Sequence, residues 1–124
     1  MKPQVITADC RKEFDMKKVQ IKALRQQIHQ DLIDEYEKTL ENPCPVNIGS
    51  QWISCEAEKP EGFCSQAWLS LYPYVFALAN GSRDFFDGWM KRNGTAMVSC
   101  NDGFRPFTFY IEVMDEDDEN LRNR

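Results

Sequence analysis

The sequence predicts an α+β fold, a small single domain in the order β-α-β-α-β-β whose mostly antiparallel sheet of about four strands packs against helices. Three observations lead to this fold class. Residues 107–113 alternate apolar and polar side chains, as a strand with one buried face does. Residues 64–80 repeat apolar side chains at steps of three and four, which is typical of a helix. Asp102 and Gly103 lie between two strand patterns, where Asp-Gly indicates a hairpin turn.

The first half of the chain contains two strand patterns separated by a helix pattern. Residues 18–23 alternate apolar and polar side chains, which predicts a strand with one buried face. An apolar stripe predicts a helix over residues 30–40, with its acidic side chains on the solvent-facing surface. The stripe consists of Leu32, Ile33, Tyr36 and Leu40. Prolines on both sides of Cys44 exclude a helix there, and residues 51–55 are predicted to form a short strand.

The longest apolar segment, residues 65–80, is predicted to be the main helix of the domain. Ser65 is the expected N-cap, and Asn80 with the glycine after it is the expected C-terminal stop. Pro73 lies inside the pattern, removes one backbone donor and predicts a kink or a division of the helix near Tyr72.

The last third of the chain is predicted to contain a loop followed by a hairpin. Residues 84–90 are aromatic without a clear period, so they are expected to form a loop or a single turn. Residues 95–100 and 107–113 are expected to be the two strands of the hairpin.

The length and the charge distribution of the chain indicate its domain organisation. Its 124 residues suffice for one domain, predicted at residues 18–114, with an extension over residues 1–17 and a solvated acidic tail over residues 115–124. The net charge of −5 argues against a general nucleic-acid binder. No run of about 18 apolar residues occurs, so no membrane-spanning helix is expected.

The five cysteines indicate in which cellular compartment the protein is expected. The count is odd and the first ten residues lack the apolar core of a signal peptide, so free thiols and a cytoplasmic location are expected. Cys10 lies in the predicted extension and is expected to be incidental, and Cys55 is expected to be a core residue. The single histidine, His29, is expected to be a surface or capping residue.

Three cysteines lie at predicted element ends and form the candidate functional site. Cys44 is held in an extended segment by its flanking prolines, and Cys64 begins the main helix, where backbone N–H groups favour a thiolate. Cys100 ends a strand just before a turn. Residues at element ends can converge at one end of a small α+β fold, so these three thiols can share one site. The alternative is inert packing, since an unpaired cysteine behaves as a small hydrophobe.

Four motifs resemble those of a family of small uncharacterised prokaryotic proteins of about a hundred residues, which has no assigned activity. They are Cys44-Pro45-x-x-x-Gly49, Lys59-Pro60-Glu61-Gly62-Phe63-Cys64-x-x-Ala67-Trp68, Leu71-Tyr72-Pro73-Tyr74-Val75-Phe76-Ala77-Leu78 and Cys100-x-Asp102-Gly103-x-Arg105-Pro106. The resemblance covers roughly residues 18–114. It implies family cysteines at the positions of Cys44, Cys64 and Cys100, and not at the other two cysteines.

The first functional hypothesis is an accessory protein that binds a metal or cluster through Cys44, Cys64 and Cys100. Three thiolates favour zinc, copper(I) or an iron–sulfur cluster, and Asp102 is a candidate fourth ligand. The alternative is a thiol-dependent enzyme or redox carrier, with Cys64 as nucleophile and Arg105 holding an anionic substrate.

A third hypothesis is a binding module whose cysteines are purely structural. Trp68, Tyr72 and Arg105 are expected near the site, where they would line a cleft for a small ligand or a protein partner. Thr108 and Tyr110, on the outer sheet face, would provide a homodimer surface. No membrane association is expected.

Overall fold

The structure is a computed structural model and describes residues 3, 15–40 and 44–114. It confirms the predicted α+β class, with four antiparallel strands in one sheet and two helices. The elements are β1 (Lys18–Gln26), α1 (Gln30–Tyr36), β2 (Gln51–Ser54), α2 (Ser65–Ala79), β3 (Thr95–Ser99) and β4 (Phe107–Met114). The strand order is β2-β1-β4-β3. The predicted acidic tail and most of the predicted extension lie outside the described residues.

The two central strands supply one wall of the core. β1 and β4 pair from Lys18 opposite Met114 to Gln26 opposite Phe107, with a register irregularity between Ala23 and Arg25. Because side chains alternate along a strand, every second residue faces the same side of the sheet. The buried side chains of β1 and β4 are Val19, Ile21, Ala23, Phe107, Phe109, Ile111 and Val113.

Helix α2 packs on this face and closes the core. Its buried side chains are Ala67, Leu71, Val75, Leu78 and Ala79. The helix runs without a break through Pro73, so the predicted division near Tyr72 is wrong. An internal proline removes only one helical hydrogen bond, and the side chains buried on both sides of it hold the helix together.

Helix α1 differs from its prediction in length and in packing. It ends at Tyr36, and none of its residues is buried. The apolar stripe predicted to pack inwards lies largely at the surface, with Tyr36 73% exposed. The segment is attached by its ends instead, since the His29 N–H donates to the Phe104 carbonyl and the Gln27 N–H to the Pro106 carbonyl, both at 2.9 Å.

The start of the domain is anchored beside the end of α2. Met16 packs against the core, and the Lys17 N–H donates to the Ala79 carbonyl at 2.9 Å. Within the described part of the chain, neither helix has the length and apolar character needed to cross a bilayer.

Candidate functional site

Cys44, Cys64 and Cys100 line one cavity of about 210 Å³. Each has a free thiol and is partly buried. They reach the cavity from three different places, because Cys44 lies in the segment before β2, Cys64 precedes α2 and Cys100 follows β3. The structure therefore brings together the three thiols that the sequence singled out.

Cys100 is fixed by the hairpin that it terminates. Its N–H donates to the Phe107 carbonyl at 2.9 Å. The Phe107 N–H donates in return to the Cys100 sulfur at 3.1 Å. The Cys100 sulfur thus takes the place of a backbone carbonyl acceptor at the end of the β3–β4 pairing. This hydrogen bond holds the sulfur at the cavity wall.

Cys64 occupies the N-cap position of α2, which was predicted for Ser65. Its backbone is extended and its side chain makes no capping hydrogen bond, whereas its carbonyl accepts from the Trp68 N–H at 3.0 Å. The preceding Phe63 is buried and packs edge-on against Trp52, with ring centroids 4.8 Å apart. This anchor fixes the loop that carries Cys64 and leaves the thiol available to the cavity.

The pKa of the Cys44 thiol is displaced from its ordinary value. Burial raises the pKa above its ordinary value, and a hydrogen bond from the Val46 backbone lowers it only in part. The sulfurs of Cys100 and Cys64 and the carboxylate of Asp102 also raise it, because like charges oppose ionisation. Cys44 is therefore protonated at neutral pH when nothing is bound to it.

The rest of the cavity wall is mostly apolar, with one carboxylate at its edge. Val46, Ala67, Phe107 and Phe109 contribute apolar surface. Asp102 also lines the cavity. Its Oδ1 accepts from the Phe104 and Arg105 N–H groups at 2.8 and 3.0 Å. The turn after Cys100 is thereby held in place by the same carboxylate that was predicted as a fourth ligand.

Arg105 forms an ion pair with Glu37, a contact that the sequence does not predict. Its guanidinium donates to both carboxylate oxygens of Glu37, at 2.9 and 2.7 Å. These hydrogen bonds raise the pKa of Arg105 above its ordinary value, and Asp102 and Cys44 add smaller electrostatic contributions. Arg105 thus lies near the thiols but is already paired, which argues against its predicted role in holding an anionic substrate.

The burial of the Glu37 side chain contradicts a second prediction. The acidic residues of the first helix were predicted to be surface charges, yet the Glu37 side chain is only 10% exposed. It follows α1 directly and lies 68 residues from Arg105 in sequence, so no local spacing links the two. The pair ties the end of α1 to the turn beside the thiol cavity.

Trp68 and Tyr72 are not among the residues that line the cavity, although both were predicted near it. Trp68 packs against Phe63 and Tyr72, with ring centroids 6.1 and 5.6 Å apart. Tyr72 continues the row to Phe76 at 5.8 Å. These rings form a stripe along α2 rather than a wall of the site.

The remaining cysteines and the histidine have other roles. Cys55 is disulfide-bonded, so the expectation of a free core thiol at this position is wrong. Cys10 lies outside the described residues. His29 occupies the N-cap position of α1, in agreement with the predicted capping position, although its side chain makes no capping hydrogen bond.

A second cavity, of about 220 Å³, adjoins the first and shares Pro45, Val46 and Cys64 with it. Trp52 contributes to its wall. The Trp52 Nε1–H is buried without a hydrogen-bond acceptor, which costs about 1–3 kcal/mol for a neutral donor. The sequence carries no signal for this unsatisfied donor, because it depends on how the strand packs.

Among residues 15–40 and 44–114, no three His, Cys, Asp or Glu side chains are placed to hold one metal ion. Comparison of the chain with family models, curated proteins and solved structures finds no match. The family resemblance of the motifs therefore stays a prediction.

Proposed function

We propose that this chain is a small accessory or binding protein whose functional site is the three-cysteine cavity, and that the cavity holds a soft metal centre. The observation that carries the proposal is the convergence of Cys44, Cys64 and Cys100 on one cavity. They come from three separate places in the fold, and inert packing does not require thiols from such places to share one cavity. Thiolates prefer zinc, copper(I) and iron–sulfur clusters.

Within this proposal we favour an iron–sulfur cluster over a single metal ion. One zinc ion would need the three sulfurs within about 4 Å of one another, since each Zn–S bond is about 2.3 Å. No described group of three ligands is placed for that. In a four-iron cluster each cysteine binds a different iron, so the three sulfurs would stand further apart than the ligands of one ion. Asp102, a partner protein or a substrate would supply the remaining ligand.

The protonation of Cys44 has a consequence for metal binding. Because burial raises its pKa, loading the site must release the Cys44 proton, and affinity therefore increases with pH. The same protonation argues against Cys44 as an enzymatic nucleophile, since the thiolate is the reactive form.

A metal–thiolate site also needs reduced cysteines, so we propose a cytoplasmic location. Cys44, Cys64 and Cys100 are free in the structure, as such a site requires. The disulfide at Cys55 is the observation that argues against this location, since disulfides are rare in the cytosol.

A second candidate function is the binding of a small apolar molecule, with the cysteines serving only as wall residues. The observation that favours it is the apolar lining of the thiol cavity together with the adjoining cavity. Joined through Cys64, the two cavities reach the size of roughly 300–1,000 Å³ that is usual for small-molecule sites.

The test is the iron, zinc, copper and acid-labile sulfide content of the full chain, purified without oxygen and without a metal-binding tag. We expect near-stoichiometric metal in the wild type and at least a tenfold loss in Cys64→Ser. Gln66→Ala is the matched control, since Gln66 lines the same cavity, is exposed and carries no sulfur. It should keep the metal.

Two outcomes would contradict the metal proposal. One is a wild-type chain that contains no metal after anaerobic purification and reconstitution with iron and sulfide. The other is a Cys64→Ser variant that keeps its metal. In the first case native mass spectrometry of the same sample would show whether an apolar compound occupies the cavities.

A further inference from the structure

Residues 27–40, which include α1, are attached to the domain at a single turn. Near the start of this segment, two backbone N–H groups donate to carbonyls of residues 104–106, both at 2.9 Å. At its end, the Glu37 carboxylate accepts two hydrogen bonds from Arg105 of the same turn. Within residues 15–40 and 44–114, no other hydrogen bond or ion pair joins the segment to the rest of the domain. No residue of α1 is buried, so the segment depends on these contacts.

The turn at residues 104–106 is held from its other side by a residue of the thiol cavity. Asp102 lines the cavity, and its Oδ1 accepts from two backbone N–H groups of this turn at 2.8 and 3.0 Å. Cys100 lies two residues before Asp102 and lines the same cavity. The pair of Glu37 with Arg105 therefore joins the segment to the part of the chain that carries Cys100.

Cys44 lies between two points at which the chain is attached. It follows Glu37 by seven residues and precedes Gly49, whose N–H donates to the Ala23 carbonyl at 2.7 Å. A stretch held at both ends has fewer conformations than one held at a single end, and the prolines on both sides of Cys44 restrict it further. Arg105 is close enough to Cys44 to interact with it electrostatically. Loss of the Glu37 attachment would leave Cys44 held from one side only.

The Glu37–Arg105 pair has the geometry of a firm attachment. The guanidinium donates to both carboxylate oxygens, an arrangement that fixes direction as well as distance. The side chains of Arg105 and Glu37 are only 17% and 10% exposed. Exposed ion pairs contribute little, whereas loss of one partner of a shielded pair leaves a charge without compensation. The pair therefore resists opening more than a surface ion pair would.

We propose that the Glu37–Arg105 pair is a clasp that positions the Cys44 thiol at the cavity. Both are positioning residues, since neither belongs to the cavity wall. A closed clasp keeps Cys44 beside the other two thiols, and an open clasp lets it move away from them into water. That the cavity is functional rests on the proposed function, but the clasp itself is tested in the chain without metal.

The experiment measures how fast iodoacetamide alkylates Cys44, Cys64 and Cys100 in the full chain freed of metal, from pH 7 to pH 10. Site-resolved mass spectrometry reads all three thiols in one sample. In Arg105→Gln we expect Cys44 to react about tenfold faster at pH 8, because a thiol that reaches water ionises more readily. The midpoint of its pH profile should move to lower pH. Cys64 and Cys100 are internal references, and their rates should change less than about twofold.

The direction of the change separates positioning from simple electrostatics. Arg105 is a cation near Cys44, so its removal alone would disfavour the thiolate and slow the alkylation of Cys44. The double variant Glu37→Gln, Arg105→Gln leaves neither charge unpaired, which protects the test from misfolding, and it should also accelerate Cys44. Arg92→Gln is the matched control, because it removes an arginine that pairs with Glu112 on β4 at 3.5 Å. It should leave the Cys44 rate unchanged.

Two results would overturn the proposal. One is a Cys44 rate in Arg105→Gln and in the double variant that is no higher than in the wild type. The other is equal acceleration of all three thiols in a variant that circular dichroism shows to be folded, because the pair would then stabilise the domain as a whole. Neither result depends on whether the wild type contains metal, so a failure of the clasp and a failure of the metal site are distinguishable.

Discussion

Gly94 occupies a buried turn in which a single added methyl group should be costly. Its φ is +78°, a left-handed conformation that favours glycine. Its N–H donates to the Arg83 carbonyl at 2.7 Å and its carbonyl accepts from the Val113 N–H at 2.9 Å. A Cβ at this position would lie 2.8 Å from Val113 Cγ1, closer than real Cβ atoms approach.

The expected loss of stability for Gly94→Ala has two parts. The left-handed conformation costs an L-residue about 1–2 kcal/mol. The overlap with Val113 adds about 1–3 kcal/mol, because Val113 is held in the sheet and cannot easily move away. The free energy of unfolding should therefore fall by about 2–5 kcal/mol.

Gly88→Ala is the matched control for the conformational part. Gly88 has a φ of +82°, and a Cβ there would have no neighbour within 4 Å. Its cost should be about 1–2 kcal/mol, and the difference between the two variants isolates the steric overlap. Urea unfolding monitored by circular dichroism measures the free energy of unfolding of both variants.

The double variant Gly94→Ala, Val113→Ala removes the overlapping methyl group. It should be more stable than the sum of the two single losses predicts, by about 1 kcal/mol or more. If Gly94→Ala costs no more than Gly88→Ala, or if the double variant is strictly additive, the steric argument is refuted.

Two further predictions concern pH. Burial raises the pKa of the Cys44 thiol, so iodoacetamide should alkylate Cys44 more slowly at pH 8 than it alkylates glutathione. The alkylation rate of Cys44 should increase above pH 9. Equal rates for Cys44 and glutathione in site-resolved mass spectrometry would contradict this prediction. Burial and the hydrogen bond to Glu112 raise the pKa of Tyr110 to about 12. The protonated hydroxyl should therefore stabilise the fold fully below pH 10 and lose this effect as pH rises towards 12. Tyr110→Phe should flatten that alkaline loss in urea unfolding, and an unchanged slope would count against the assignment.

The sheet and the main helix could be predicted because their signals are local. Alternation in β1 and β4 and three- and four-residue steps in α2 follow directly from which side chains face the core. The position of helix α1 in the chain could be predicted, but the burial of its apolar stripe could not. Its apolar stripe has the right period, yet whether a stripe is buried depends on neighbours that lie elsewhere in the chain.

The candidate site was predictable in part. The positions of Cys44, Cys64 and Cys100 at element ends suggested that they would meet. The pairing of Glu37 with Arg105 spans 68 residues and leaves no trace in spacing. Trp68 was predicted near the site, whereas in the structure it packs against Phe63 and Tyr72, and such tertiary contacts leave no local signal in the sequence.

The strand order has a consequence for how copies of this chain meet. The nine-residue β1 and the eight-residue β4 lie inside the sheet, whereas the outer strands β2 and β3 have only four and five residues. Short outer strands offer few unpaired backbone groups, so they make poor templates for adding another strand. The fold thus discourages open-ended stacking of sheets into fibrils.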